Sequence, residues 1–197
     1  FNSTLSMTVC VFASSSSRID NIYAVAAAEL GSLFAMSGTG VIYGGGGIGL
    51  MGVLADAVIE KGGTITGVIP SFMNDEGWGH PHVREMIVTG DMGERKKNMF
   101  ARADAVVALP GGIGTLEELT EAITLKQLGL FKGPVIILNT LGFYEPLIYL
   151  LERMIEGNFM RDEHKGMWNI ASTPGEVIDL LSNDKGWMDD PRKIARI

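Results

Sequence analysis

AVVALPGGIGTLEELTEAITLKQL, residues 105–128, is the stretch from which the fold is read. Ala105 to Leu109 is a short apolar run, Pro110 to Gly114 a glycine turn, and Thr115 to Leu128 a segment with apolar residues at helical spacing. A short strand that runs through a tight turn into a helix is half of a βαβ unit. Strands that read as continuous apolar runs belong to a parallel sheet covered on both faces.

Outward from this stretch the same unit recurs. Met7 to Ala13, Val41 to Tyr43, Thr64 to Ile69, a short piece near Met86 to Val88, and Val135 to Asn139 read as further strands. Between them, Asn21 to Ser37 reads as a helix with Ile22, Val25, Ala26, Leu30, Leu33 and Phe34 on its apolar face and Gly38 closing it. Leu50 to Lys61 carries Val53, Leu54, Ala57 and Val58 and stops at Gly62. Asp91 caps a helix running to about Ala103; Pro146 and Pro174 each open another at a first-turn position. Pro70 to His82 is rich in Gly, Pro, Asn, Asp and His, the longest irregular segment and a place for binding. The expected architecture is α/β, a Rossmann-like doubly wound parallel sheet of about six to seven strands with helices on both faces. It forms one nucleotide-binding domain over residues 1–197, with residues 1–6 read as a disordered or expression-derived leader and 183–197 as a polar tail.

Composition narrows the function. With 197 residues and 46% hydrophobic content, one sizeable core is available. Lys plus Arg number 16 against 23 Asp plus Glu, a net charge of −7, which disfavours a grip on DNA or RNA through phosphate neutralisation. No apolar run reaches the 18 or so residues of a membrane span. Cys10, the one cysteine, lies in an apolar run and reads as a buried thiol in a reducing cytoplasm. The 26 glycines are roughly 13% of the chain against a usual 7%, so tight turns are needed.

Two glycine turns, Gly44 to Gly49 and Gly111 to Gly114, each follow a strand and precede a helix. In an open parallel sheet such turns lie beyond the carboxyl ends of the strands, where helix N-termini offer N–H groups to an anion. Gly47, Gly49 and Gly52 match GxGxxG, but the strand after them ends Gly67-Val68-Ile69-Pro70 without the carboxylate that holds a dinucleotide ribose. No GxxxxGK precedes Ser or Thr, so a nucleoside monophosphate fits better than a dinucleotide or a Walker-type triphosphate. Thr115 and Glu118 have capping-box spacing, which by itself gives Glu118 a purely structural role. Arg95-Lys96-Lys97 in the preceding helix would bring cations near that carboxylate, which is the arrangement of a site.

These residues resemble the Lonely Guy family, the cytokinin riboside 5′-monophosphate phosphoribohydrolases often mislabelled lysine decarboxylases. The family's PGGxGTxxE stands complete as Pro110 to Glu118, its YGGGxxGLMG as Tyr43 to Gly52, and its Met-x-x-Arg-Lys as Met92, Arg95 and Lys96. Ala13-Ser14-Ser15-Ser16 departs from Cys-Gly-Ser-Ser, Gly93 replaces a common His, Ile113 replaces a common Tyr, and the loop from Pro70 is shorter by about one residue than in plant-like members. The resemblance implies hydrolysis of the N-glycosidic bond of a nucleoside 5′-monophosphate, its base an N6-substituted or plain adenine, with Arg95 and Glu118 catalytic. It implies substrate contacts at Ser15, Gly45, Gly46, Glu76, Met92, Lys96, Gly112, Ile113, Gly114, Thr115, Leu116, Glu117 and Thr124, and neither metal nor cofactor. It also implies a homodimer, in which Glu76 or Thr124 would complete the neighbour's site; the segments 115–128 and 147–159 carry more Leu, Ile, Met and Phe than one face needs, which fits an interface and core burial equally. His80, His82 and His164 lack metal-ligand spacing and read as surface or loop histidines. Lysine decarboxylation is disfavoured, since no residue context supports a Schiff-base lysine. A nucleotide-sensing module without turnover, or a salvage enzyme for AMP, is the rival reading; a nicotinamide-dependent oxidoreductase is a weaker one.

Overall fold

The computed structural model describes residues 7–195, so the expectation for residues 1–6 lies outside the described residues. Within them the strands β1 (Thr8–Phe12), β2 (Gly40–Tyr43), β3 (Ile65–Pro70), β4 (Glu85–Thr89), β5 (Ala105–Ala108), β6 (Val135–Leu138) and β7 (Asn169–Ala171) form one all-parallel sheet. Their spatial order is β4-β3-β2-β1-β5-β6-β7. The helices are α1 (Asn21–Met36), α2 (Gly49–Glu60), α3 (Ser71–Asp75), α4 (Met92–Ala101), α5 (Ile113–Gln127), α6 (Glu145–Glu156), α7 (Pro174–Ser182) and α8 (Arg192–Ala195).

The period of two along a strand builds two cores. From β1, Val9 and Val11 pack with Leu30 and Phe34 of α1, Leu54 and Val58 of α2 and Val177 of α7. Cys10 and Phe12, pointing the other way, pack with Met99 of α4, Leu119 and Ile123 of α5 and Leu151 of α6. Every strand of the sheet centre is therefore apolar on both sides, which is why these runs show no alternation. After β1 the chain builds outward through β2, β3 and β4, then returns to place β5 on the other side of β1. The loops after β1 and β5 consequently diverge and leave a crevice at the carboxyl edge of the sheet.

The structure departs from the sequence reading in several places. Pro70 to His82 is not wholly irregular, because Ser71–Asp75 forms one helical turn too short to show a period. Ile22 and Val25 of α1 are 41% and 53% exposed, and the buried face runs instead through Ala26, Ala27, Leu30, Gly31 and Phe34. Here the close approach of α2 favours small residues: a Cβ on Gly31 would lie 2.7 Å from the Leu54 carbonyl oxygen. The polar tail is docked rather than free of structure, since the Trp187 indole N–H donates to the Glu163 carbonyl at 2.8 Å. β7, only three residues long, carries too little pattern to be read alone and forms on the edge that β6 offers.

Candidate active site

A cleft of about 620 Å³ opens in that crevice. It runs across the sheet edge from the start of α5, over the loop Ala13 to Ser16 after β1 and the glycine turn after β2, to Ile69 at the end of β3 and Met73 and Trp78 beyond it. Along the way Met92 and Arg95 of α4 and Glu117 and Glu118 of α5 face it. Its size matches the few hundred cubic ångströms of an ordinary small-ligand site.

At its centre is a buried ion pair. Arg95 Nη1 donates to Glu118 Oε1 at 2.8 Å, and the two residues are only 6% and 8% exposed. Arg95 Nε donates to the Val68 carbonyl at 2.9 Å and Nη2 to the Gly44 carbonyl at 3.2 Å, so the guanidinium is fixed by the ends of β2 and β3 as well as by the carboxylate. Gly44 must be glycine for this reason, since a Cβ there would collide with the guanidinium. Burial pushes the Glu118 carboxyl above the ordinary carboxylate range, and the opposing pull of Arg95 does not cancel it. A carboxyl moved toward neutrality is suited to act as acid or base.

The capping box that the spacing of Thr115 and Glu118 by itself allows does not form. α5 starts at Ile113, two residues earlier than read, with Gly112 as an N-cap that offers no side-chain bond. Thr115 is thus inside the first turn and Glu118 in the second, its carboxylate turned to Arg95. The uncapped N-terminus presents Gly112, Ile113, Gly114 and Thr115 to the cleft, where first-turn N–H groups lack intrahelical partners. The N-terminus of α2 differs, because the Met51 N–H donates to the Ser14 carbonyl at 3.2 Å and Gly49 lies against the backbone of Ser14 to Ser16. Of two similar glycine turns, only the second leaves its helix end open.

Ser15, Gly46, Met92, Glu117 and the α5 residues 112–115 line the cleft alongside Arg95 and Glu118. Gly45, Glu76, Lys96, Leu116 and Thr124 do not. Gly45 is buried behind the turn against Met86 and Ile69. Lys96 reaches Glu117 and, at 2.6 Å, Glu121, bracing α4 on α5; these bonds push its amine further up. Glu76 and Thr124 are exposed, and the Thr124 hydroxyl donates to the Thr120 carbonyl at 2.8 Å. Ile48, Ile69, Met73 and Trp78 line the cleft at positions that no motif specifies, and Met51, which stands in YGGGxxGLMG, was not read as a site residue; only the loop character of 70–82 pointed to Met73 and Trp78. His80 and His164 are buried rather than on the surface. The His80 Nδ1 accepts from the His82 N–H at 3.1 Å, so Nε2 carries the proton toward Asp56, 3.0 Å away, while His164 Nδ1 accepts from the Arg161 N–H at 2.9 Å.

Known proteins resemble this chain in sequence and in fold. The family model described as possible lysine decarboxylase matches residues 51–181. A rice protein named probable cytokinin riboside 5′-monophosphate phosphoribohydrolase LOGL2 is 40% identical over 173 residues, covering 88% of this chain and 71% of its own. The Arabidopsis thaliana enzyme named cytokinin riboside 5′-monophosphate phosphoribohydrolase LOG5 is 38% identical over the same length, covering 88% and 76%. Among solved structures, TM1055 superposes with a TM-score of 0.72 at 27% identity over 90% of this chain and 99% of that one. A molybdenum cofactor binding protein from Rippkaea orientalis gives 0.69 at 25% identity, covering 91% and 98%.

Proposed function

The chain belongs to the family that the possible lysine decarboxylase model describes and that includes the cytokinin riboside 5′-monophosphate phosphoribohydrolases, and on that premise we propose that its cleft hydrolyses the N-glycosidic bond of an adenosine-type 5′-monophosphate. Water adds to the anomeric carbon, the base leaves with a proton, and ribose 5-phosphate remains. The observation that carries this reading is the buried Arg95–Glu118 pair, 2.8 Å apart, beside the open N-terminus of α5.

The 5′-phosphate binds the N–H groups of Gly112 to Thr115, where the helix dipole and the unpaired donors favour an anion. The ribose then lies over β1 and β2, with its anomeric carbon toward Glu118. Positive charge develops there as the bond to the base breaks, and the carboxylate stabilises it or activates the attacking water. Arg95 holds that carboxylate in place and keeps N–H groups for the substrate. From β5 to β3 is three strand spacings, roughly 14 Å, about the length of a nucleoside monophosphate from phosphate to base. The base accordingly sits near the apolar end over β3. A lysine decarboxylase would need a cleft lysine to carry pyridoxal phosphate. Among the described residues none lines the cleft: Lys96 is held by Glu117 and Glu121, and Lys126 donates to the Gly133 carbonyl at 2.7 Å. The residues present do not fit that group.

The protein acts as a homodimer, with the exposed Ile113 at the start of α5 and Leu128 just beyond its end in the contact and Glu76 or Thr124 reaching the neighbour's cleft. Its single buried thiol suits a reducing cytoplasm. Chromatography of wild type and Glu118→Gln, each incubated with AMP and with N6-isopentenyladenosine 5′-monophosphate, tests the chemistry. Wild type releases free base, and the variant is slower by about 100-fold or more. Binding without base release by wild type would replace the hydrolase with a nucleotide sensor.

A further inference from the structure

The glycine turn after β2 carries a carbonyl on which the buried ion pair leans, yet it has no side chains of its own with which to hold that carbonyl still. Gly44 accepts from Arg95 Nη2 at 3.2 Å, and the next residue, Gly45, stands at φ 77°. Glycine backbone has more conformations open to it than any other, so the geometry of residues 44–47 must be imposed from outside. Tyr43 contributes one bond, from its hydroxyl to the Gly46 carbonyl at 3.3 Å. The rest comes from residues 78–80. His80 N–H donates to the Gly45 carbonyl at 2.9 Å, Gly47 N–H donates to the Trp78 carbonyl at 3.0 Å, and Gly46 and Gly79 form an antiparallel bridge between them. A Cβ on Gly47 would stand 3.2 Å from His80 Cα, so the two backbones lie in contact.

Residues 78–80 are in turn anchored by one side chain. His80 is only 6% exposed although it lies in the connection between α3 and β4, and it does not line the cleft. Its Nε2–H donates to Asp56 Oδ1 at 3.0 Å and its Nδ1 accepts from the His82 N–H, so both ring nitrogens are committed within the protein. Asp56 is on the second turn of α2, the helix that starts directly after the glycine turn. The contacts therefore close a ring, from the glycine turn through α2, Asp56 and His80 back to Gly45. We propose that His80 is a positioning residue: tethered to Asp56, it fixes residues 78–80 against the glycine turn and so keeps the Gly44 carbonyl on Arg95, with the guanidinium aligned on Glu118. This rests on the hydrolase reading above for the role of that pair.

The test compares kcat and KM for AMP and for N6-isopentenyladenosine 5′-monophosphate in wild type, His80→Ala, Asp56→Ala, Asp56→Asn and His82→Ala, well below the Tm of each. The Asp56 side chain is 67% exposed, so its replacement opens no hole in the core, and the exposed His82 keeps its backbone N–H in the alanine variant. His80→Ala and Asp56→Ala lower kcat by about 10-fold or more with KM little changed, because a reacting group is misplaced rather than a contact removed. Asp56→Asn keeps an oxygen to accept from Nε2–H and restores most of the turnover; His82→Ala turns over as wild type does. Unchanged kcat in His80→Ala and Asp56→Ala, even with a lowered Tm, overturns the proposal and leaves the hydrolase standing. Equal losses in Asp56→Ala and Asp56→Asn overturn the hydrogen-bonded tether. If wild type cleaves neither nucleotide, the hydrolase reading falls, and the guanidinium signals of Arg95 in ¹⁵N-resolved spectra, assigned by their loss in Arg95→Lys, decide the tether separately. They exchange slowly in wild type and broaden in His80→Ala and Asp56→Ala; signals as sharp in both variants as in wild type overturn it.

Discussion

Glu118 is a carboxylate taken out of water and given one cation. Removing an ion from water costs more than a single partner returns unless further hydrogen bonds complete the set. Arg95 has that set, through Val68, Gly44 and Glu118, whereas the Glu118 carboxylate is hydrogen-bonded by Arg95 alone among the described residues. Its pKa therefore stays raised, and a raised carboxyl pKa in the folded state has a definite linkage. The folded protein holds the proton more tightly than the unfolded chain. The resulting stability is fully present below about pH 4.3, the unfolded value, and is lost as pH rises through the higher folded one. The difference in Tm between wild type and Glu118→Gln shifts against wild type over that window, as differential scanning calorimetry in a pH series reads. A pH-independent difference, or one shifting the other way, contradicts a raised carboxyl. The acid limb of the kcat/KM profile, which reports the free enzyme, is displaced upward for the same reason.

At the scale of elements, the two glycine turns do different work. The N-terminus of α2 is closed by the loop after β1, and Gly49, at φ 69°, sits where a Cβ would be 2.6–2.8 Å from the backbone of Ser14, Ser15 and Ser16. Gly49→Ala adds left-handed backbone strain of about 1–2 kcal/mol to that collision and lowers Tm by at least about 4 °C. Because the displaced loop forms one wall of the cleft, turnover falls with it. Gly112 has an ordinary φ of −87° and nothing within 4 Å of a Cβ, so Gly112→Ala leaves Tm nearly unchanged. Equal losses of stability in the two variants would contradict the assignment of one closed and one open helix end. On α4, Asp91 accepts from the Glu94 N–H at 2.8 Å, and this cap sets the start of the helix whose second turn delivers Arg95.

For the whole molecule, the switch between β1 and β5 sets where the crevice opens, and the proposed dimer concerns the outer helices. Ile113, Leu128 and Leu130, on and just beyond α5, are 83%, 43% and 71% exposed, and Phe159 beyond α6 is 77% exposed. These are the side chains that the proposed dimer would bury. Light scattering at micromolar concentration gives twice the chain mass, and Leu128→Glu with Leu130→Glu returns a monomer. A monomeric wild type would remove the dimer and the roles of Glu76 and Thr124 across it.

What the sequence determined by itself was what depends on local pattern. Apolar runs and helical periods placed all but the shortest strand and most of the helices to within two residues or so. Turn glycines marked where the sheet edge opens, and Asp91, Pro146 and Pro174 marked helix starts because capping and proline geometry act over one turn. What only the tertiary structure decided lies between segments distant along the chain. Thr115 and Glu118 have the spacing of a cap, yet Arg95, 23 residues earlier, takes the carboxylate because the fold brings α4 and α5 side by side. Three-residue β7 exists because β6 presents an edge, and α3 is a single turn without a period of its own. Which of two like glycine turns stays open depends on the loop that lands on it. Local propensity carries no information on such contacts, because their free energy appears only once the sheet has brought the partners together.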